Sequence, residues 1–204
     1  MSENHWVYGA SPSELYERFW REYEAEGWES STREWIDSNL GPGDLFVDIG
    51  AWIGPVTLWA LRRGANVIAV EPDPVALEEL KRRVPDEVEI WAGAVGVSSG
   101  ESALTSNFGL GFGKSVTRLS SEGELPARTW TLAEILAGRI PDLVKIDIEG
   151  YESELLPEVA PLLARAGVPM QVELHGQLPE RSWFEGYSEV QLPDGLDGPL
   201  RAWP

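Results

Sequence analysis

Between residues 44 and 176 short apolar runs alternate with amphipathic stretches, and this alternation constrains the fold more than any single residue. The runs "DLFVDIG", "NVIAVEP", "EVEIWAGAVG", "DLVKIDIEG" and "VPMQVELHG" have the length and β-branched content of buried strands. The intervening "IGPVTLWALRRG", "DPVALEELKRRV", "WTLAEILAG" and "ESELLPEVAPLLARAG" carry apolar residues at helical spacing. Asp73 is placed to cap the second of these helices, with Pro74 in its first turn, and the two prolines of the last one predict a broken helix. Strands and helices in this order predict a parallel sheet with right-handed crossovers. Two helices precede it, at 11 to about 27 and at 31–40, the second stopped by "GPG". They read as an N-terminal helical cap (1–40) on a domain covering 41–204. The tail segments "WFEGYSEVQL" and "PLRAWP" read as strands of a closing hairpin. No helix or strand is assigned between residues 97 and 129.

Ligands of parallel sheets sit at the carboxyl ends of the strands. Those ends carry, in chain order, Asp48, Gly50 and Gly54; Glu71; Gly93 and Ala94; Asp147 and Glu149; and Glu173 and His175. The fourth end is the most demanding. "LVKIDIEGYESEL" passes from an apolar run straight into four carboxylates, and carboxylates at the mouth of a buried strand are costly unless something uses them.

Composition removes several answers. The net charge of −18 opposes nucleic acid phosphates and anionic membrane surfaces. The absence of cysteine excludes disulfides, thiolate metal sites and cysteine nucleophiles. No apolar run approaches the length of a membrane span and no secretory signal pattern opens the chain, so the expectation is a soluble, cytoplasmic protein. The cluster of Arg62, Arg63, Lys81, Arg82 and Arg83 reads as a solvated helix face.

Two glycine loops were weighed for phosphate binding. "VDIGAWIG" places Asp48 where a dinucleotide fingerprint needs its first glycine, and a carboxylate there suits a ligand carrying positive charge and hydroxyls better than a pyrophosphate. With Glu71 about 20 residues on, positioned to accept from two ribose hydroxyls, the loop reads as a nucleoside site. "GLGFGKS" fails as a phosphate loop because Phe108 stands where the first glycine is required. It reads as a lid or as a plain surface loop.

"LFVDIGAWIGPVTLWALRRGANVIAVEPDP" resembles the first two motifs of class I S-adenosylmethionine-dependent methyltransferases, and "LVKIDIEGYE" resembles the signature segment of the FkbM family within that class. "VPMQVELHG" and the later "GY" fit the same layout. The resemblance implies an α/β fold with a Rossmann-like seven-stranded sheet, six strands parallel and one antiparallel, and helices on both faces. It implies S-adenosylmethionine as cofactor. Asp48, Gly50 and Gly54 would face its amino-acid part and Glu71 its ribose. Trp52, Pro72, Ala94 and Asp147 would complete its surroundings. The acidic residue that many relatives place after the third strand is missing, since the chain has "WAGAVG" there.

Three uses of the carboxylates stay open. Asp147, Glu149 and His175 could bind and deprotonate a hydroxyl without a metal. Asp147, Glu173 and His175 could hold a divalent ion, a possibility not favoured over the first. Glu149 and Glu152 could simply sit at a helix start, where negative charge is stabilising. The implied function is O-methylation of a small molecule, a secondary metabolite or a sugar. N- or carboxyl-methylation on the same fold and a non-catalytic cofactor-binding partner subunit are the alternatives. The small-molecule acceptor and the oligomeric state are not specified by the sequence.

Overall fold

A computed structural model describes residues 11–23, 28–106, 112–176 and 178–204. Two helices come first, α1 (Pro12–Tyr23) and α2 (Ser30–Asn39). The alternating part follows: β1 (Leu45–Ile49), α3 (Pro55–Arg62), β2 (Asn66–Glu71), α4 (Pro74–Arg83) and β3 (Glu89–Ala92). Four short strands then interrupt the alternation, β4 (Ala94–Val95), β5 (Gly100–Ser106), β6 (Thr117–Leu119) and β7 (Leu125–Trp130). The chain continues through α5 (Leu132–Leu136), β8 (Leu143–Ile146), α6 (Glu152–Arg165), β9 (Met170–Leu174), a 3-10 turn at Arg181–Phe184, β10 (Glu189–Gln191) and β11 (Gly198–Trp203).

The main sheet has seven strands in the order β10-β11-β9-β8-β1-β2-β3. It is mixed: β3, β2, β1, β8 and β9 pair in parallel, while β11 pairs antiparallel with both β9 and β10. The expected closing hairpin is therefore present, with its second strand set between β9 and β10. The sequence reading did not anticipate the second sheet, of order β4-β7-β5-β6. It begins just after Gly93, where the expected strand 87–96 splits and Ala94 and Val95 join β7 instead of β2. A side chain at Gly93 would begin 2.6 Å from the Arg128 carbonyl oxygen, so only glycine lets the two sheets meet there. The second sheet left a weak signal because β5 buries only Leu104 fully and is otherwise small and polar.

Alternation along the strands sends residues to two apolar layers. Val47, Ile49, Val144 and Ile146 pack under α5 and α6; Phe46, Val67 and Ala69 pack under α2, α3 and α4. Helix α6 runs unbroken through Pro157 and Pro161. Tertiary packing overrides the missing amides, because Leu155, Leu156, Val159, Ala160 and Leu163 are all buried beneath it. Asp73 caps α4 as expected, accepting from the Val75 and Ala76 amides.

One row of polar residues crosses the α2 face of the sheet. Asp48, Lys145, Gln171 and Arg201 are in register on β1, β8, β9 and β11. Gln171 is 1% exposed, donates to Thr32 on α2 at 2.6 Å and accepts from Arg201 at 3.1 Å. Arg201 reaches on to the Ser31 carbonyl at 2.7 Å. This row fastens α2 to the sheet. Replacing Gln171 with Ala strands the buried Thr32 hydroxyl and a nitrogen of Arg201, so we expect a loss of about 1–3 kcal/mol, read from the denaturant midpoint at unchanged slope.

Candidate functional site

The carboxyl ends of β1, β2 and β8 open into a cleft of about 600 Å³ that is continuous with solvent. Its floor is the turn after β1. Gly50 has φ +78°, and a side chain there would begin 1.7 Å from the Asp147 carbonyl oxygen. The β1 and β8 loops thus meet backbone to backbone. Trp52 follows with φ 49°, a strained conformation for a bulky residue.

Glu71 explains that strain. One of its oxygens accepts from the Trp52 amide and the other from the Asp73 amide, each at 2.7 Å. The carboxylate is 5% exposed. Burial pushes it up to about 8, against the pull of the two amides. Each oxygen uses one acceptor position on the backbone, so Glu71 is fixed in the cleft wall and, when ionised, keeps a free acceptor position on both oxygens.

The roof comes from residues 112–119. Asp73 directs one oxygen to the α4 amides and the other to the Gly113 amide at 2.6 Å and the Thr117 hydroxyl at 2.7 Å. The Gly113 carbonyl accepts in turn from the Tyr16 hydroxyl of α1 at 2.5 Å and the Trp52 indole at 3.1 Å. Gly113, with φ +83°, has no room for a side chain, which would start 2.6 Å from Val75 and 2.8 Å from the Tyr16 oxygen. The part of "GLGFGKS" after residue 111 is thus a tied lid, while 109–111 lie outside the described residues. Lys114, Ser115 and Arg118 line the cleft from this roof.

Behind the floor lies a charged cluster. Lys145, 4% exposed, places its ammonium 3.2 Å from Asp147, 3.6 Å from Asp48 and 3.2 Å from the Gly50 carbonyl. Burial alone would lower its affinity for a proton, but Asp147 and Asp48 push it up, so it stays charged. Asp48 is fully buried and accepts from Thr57 at 2.7 Å; burial raises it, against Lys145 and Thr57. His175 bonds Glu152 through Nδ1 at 3.1 Å, and its Nε2 stands 3.7 Å from both Asp147 and Glu149. Burial would discharge the imidazole, yet Glu152, Asp147 and Glu149 hold it up at about 10. Glu149 has φ 56°, and burial and Asp147 push it up to about 8.

The residues singled out from the sequence separate into two groups. Gly50, Trp52, Glu71, Pro72, Ala94, Asp147 and Glu149 line the cleft. Asp48 lies beneath it and serves Lys145. Gly54 is the α3 N-cap residue, with φ +90°, and leaves space for Leu80, which a side chain would approach to 2.6 Å. His175 stands behind the loop 147–150, in a smaller recess of about 230 Å³ shared with Glu152, Ser153 and Trp183. Its carboxylate neighbours favour the imidazolium, so acting as the base expected from the sequence would require release of that proton.

Glu173 does not join the metal-ligating group considered above. It belongs to β9, opposite Pro199, where its charge acts on Arg201, while His175 lies past the strand end and turns toward α6. Spacing of two implies a shared face only while the strand continues. Among the described residues the group whose atoms come within 4.8 Å of one another is Asp147, Glu149 and His175. His175 would have to release its proton to ligate. Asp73, Lys114, Thr117 and Arg118 were not identified from the sequence. Asp73 was visible only as a helix cap, which uses one of its two oxygens.

The pH dependence follows in sign. A histidine raised from 6.5 to about 10 adds stability that is complete below 6.5 and lost as pH climbs through 10. Glu71 and Glu149, raised from 4.5 to about 8, bind protons more tightly folded than unfolded, so stability also falls between those values. The melting temperature should decline steadily from pH 5 to pH 10, and His175→Gln should flatten the part of the curve above about pH 6.5. A profile that rises with pH over this range would contradict these assignments.

Comparison with known proteins gives a consistent result. The family model described as the methyltransferase FkbM domain matches residues 48–194. The hexuronic acid methyltransferase AglP of Haloferax volcanii is 26% identical over 187 residues, covering 86% of this chain and 74% of the relative. Among solved structures, a TehB-like SAM-dependent methyltransferase from Corynebacterium glutamicum superposes with a TM-score of 0.55 at 12% identity, covering 94% of this chain and 96% of the other. The methyltransferase FkbM from Methylobacillus flagellatus superposes with a TM-score of 0.52 at 16% identity, over 84% of this chain. This chain spans half the length of that protein.

Proposed function

The chain belongs to the FkbM methyltransferase family, and from that premise we propose that it uses S-adenosylmethionine to methylate a hydroxyl of a small polar acceptor, of the sugar class. The observation that carries this reading is Glu71, a buried double acceptor held between two amides in the wall of an acidic cleft. Such a group fits a vicinal diol, and the carboxylates of Asp147 and Glu149 in the same wall fit a neighbouring positive charge. A ribose with an attached sulfonium has both features. The turn carrying Gly50 and Trp52 would hold the cofactor's amino-acid part, and Ala94, 7% exposed beside Pro72, the adenine edge. The sugar class is supported by the name of the Haloferax relative.

When bound, the cofactor supplies an electrophilic methyl group. The chain must place the acceptor oxygen on the methyl axis and take its proton. Glu149 suits the second task, because a base works best near the operating pH and burial has moved this carboxylate there. The imidazolium of His175, 3.7 Å away, holds Glu149 and Asp147 together and so positions the base. A divalent ion on Asp147, Glu149 and His175 would displace that proton and supply the same positive charge.

One observation favours a second reading. With His175 protonated, the basic capacity of the site rests on carboxylates alone, and a carboxylate acceptor would need no base. The product separates the two readings, since a methyl ester is cleaved by alkali and a methyl ether is not.

Two measurements test the proposal. Titration calorimetry with S-adenosylhomocysteine should show one-to-one binding that Glu71→Ala weakens roughly 10- to 100-fold through the loss of two hydrogen bonds. No binding to the native chain would reject the cofactor. Glu149→Gln should lower kcat on a hydroxyl acceptor by about 10²–10⁴ with little change in cofactor affinity, whereas unchanged turnover would remove Glu149 as the base.

A further inference from the structure

The cleft is acidic along its floor and basic along its roof. In a chain with 34 acidic and 16 basic residues, two of the cations, Lys114 and Arg118, are presented to this one cavity by the lid. Lys114 is buried, 8% exposed. Arg118 is exposed, and its guanidinium makes no hydrogen bond or ion pair among the described residues. Its Nη1 lies 3.8 Å from the point where a side chain at Gly150 would begin, so the guanidinium stands over the loop that carries Asp147 and Glu149. Its backbone is fixed: Thr117 is tied to Asp73, and Arg118 is paired with Thr105 across β5 and β6.

We propose that Arg118 reads a carboxylate on the methyl acceptor, so that the substrate is an acidic sugar and not a neutral one. This rests on the methyl-transfer reading of the cleft and adds the acceptor's charge to it. A guanidinium matches a carboxylate through two parallel hydrogen bonds. Placed over Gly150, it would hold one end of the acceptor while a hydroxyl elsewhere on the ring meets Glu149. The floor limits the charge that the site takes. Asp147 and Glu149 repel a polyanion, while one carboxylate at the roof remains on the side of the cations. Lys114 adds field to the same end. Arg118 is thus a specificity residue for the acceptor, distinct from Glu71, which faces the cofactor's ribose.

The test uses the full chain saturated with S-adenosylhomocysteine and two sugars that differ only at C6, methyl glucuronide with a carboxylate there and methyl glucoside with a hydroxymethyl group. Calorimetric titration should show the glucuronide binding at least roughly ten-fold more tightly. The difference should shrink at about 0.5 M NaCl. Arg118→Gln should bring the two sugars to parity, and Arg118→Lys should restore part of the preference. Equal affinity of the native chain for both sugars would overturn the proposal. So would a loss of S-adenosylhomocysteine affinity in Arg118→Gln as large as the loss for the glucuronide, which would assign Arg118 to the cofactor's own carboxylate or to the fold. Failure of the native chain to bind S-adenosylhomocysteine is a different result, seen before any sugar is added, and it removes the methyltransferase reading itself.

Discussion

The buried ammonium of Lys145 is the interaction on which the rest of the structure depends. It joins β1 to β8 through Asp48, reaches the carbonyl of the glycine turn at Gly50, and holds Asp147 at the mouth of the cleft. A buried charge of this kind is tolerated only with paired, hydrogen-bonded partners. Supplying those partners dictates much of what surrounds it: an aspartate at the same level of β1, a threonine on α3 to hold that aspartate, and a carboxylate just past β8. The row continues through Gln171 and Arg201 to α2. One line of polar groups therefore sets both the depth of the cleft floor and the seat of the N-terminal helices.

The site is organised as opposed charges held apart by backbone. His175 and Lys145 flank Asp147 from two sides, so the carboxylates face a cleft backed by fixed cations. This bears on the role that spacing suggests for His175. A histidine two positions from a carboxylate looks like a base, but three carboxylates around one ring stabilise its charged form. The same crowding raises Glu149 to about 8, the range to which burial brings Glu71.

The alternation of apolar runs was enough to place β1, β2, β8 and β9, and hence the residues at their carboxyl ends, because those strands are continuous and largely buried. The floor residues Gly50, Trp52, Glu71 and Asp147 were legible for this reason. The roof was not. Strands β5 and β6 carry short polar sequences whose pairing is decided by partners far along the chain, and Asp73 looked like a helix cap because capping needs only one of its oxygens. Gly54 and Asp48 show the opposite limit. Gly54, at the start of α3, gives space to Leu80, and Asp48, inside β1, faces the ammonium of Lys145, and neither contact is visible in a local pattern.

The row that anchors α2 also bears on the order in which the molecule can be assembled. Thr32 meets Gln171 across 139 residues, and Ser31 meets Arg201 across 170. Helix α1, whose Tyr16 holds the lid through Gly113, is 97 residues from that contact. Closing such long loops brings no gain until the far partner exists. The apolar side of α2 packs on α3, β1 and β2, which are close to it in the chain, whereas Ser31 on its polar side is fastened only where β11 has joined the sheet. The helix is thus seated twice, once by its neighbours in sequence and once by the far end of the sheet.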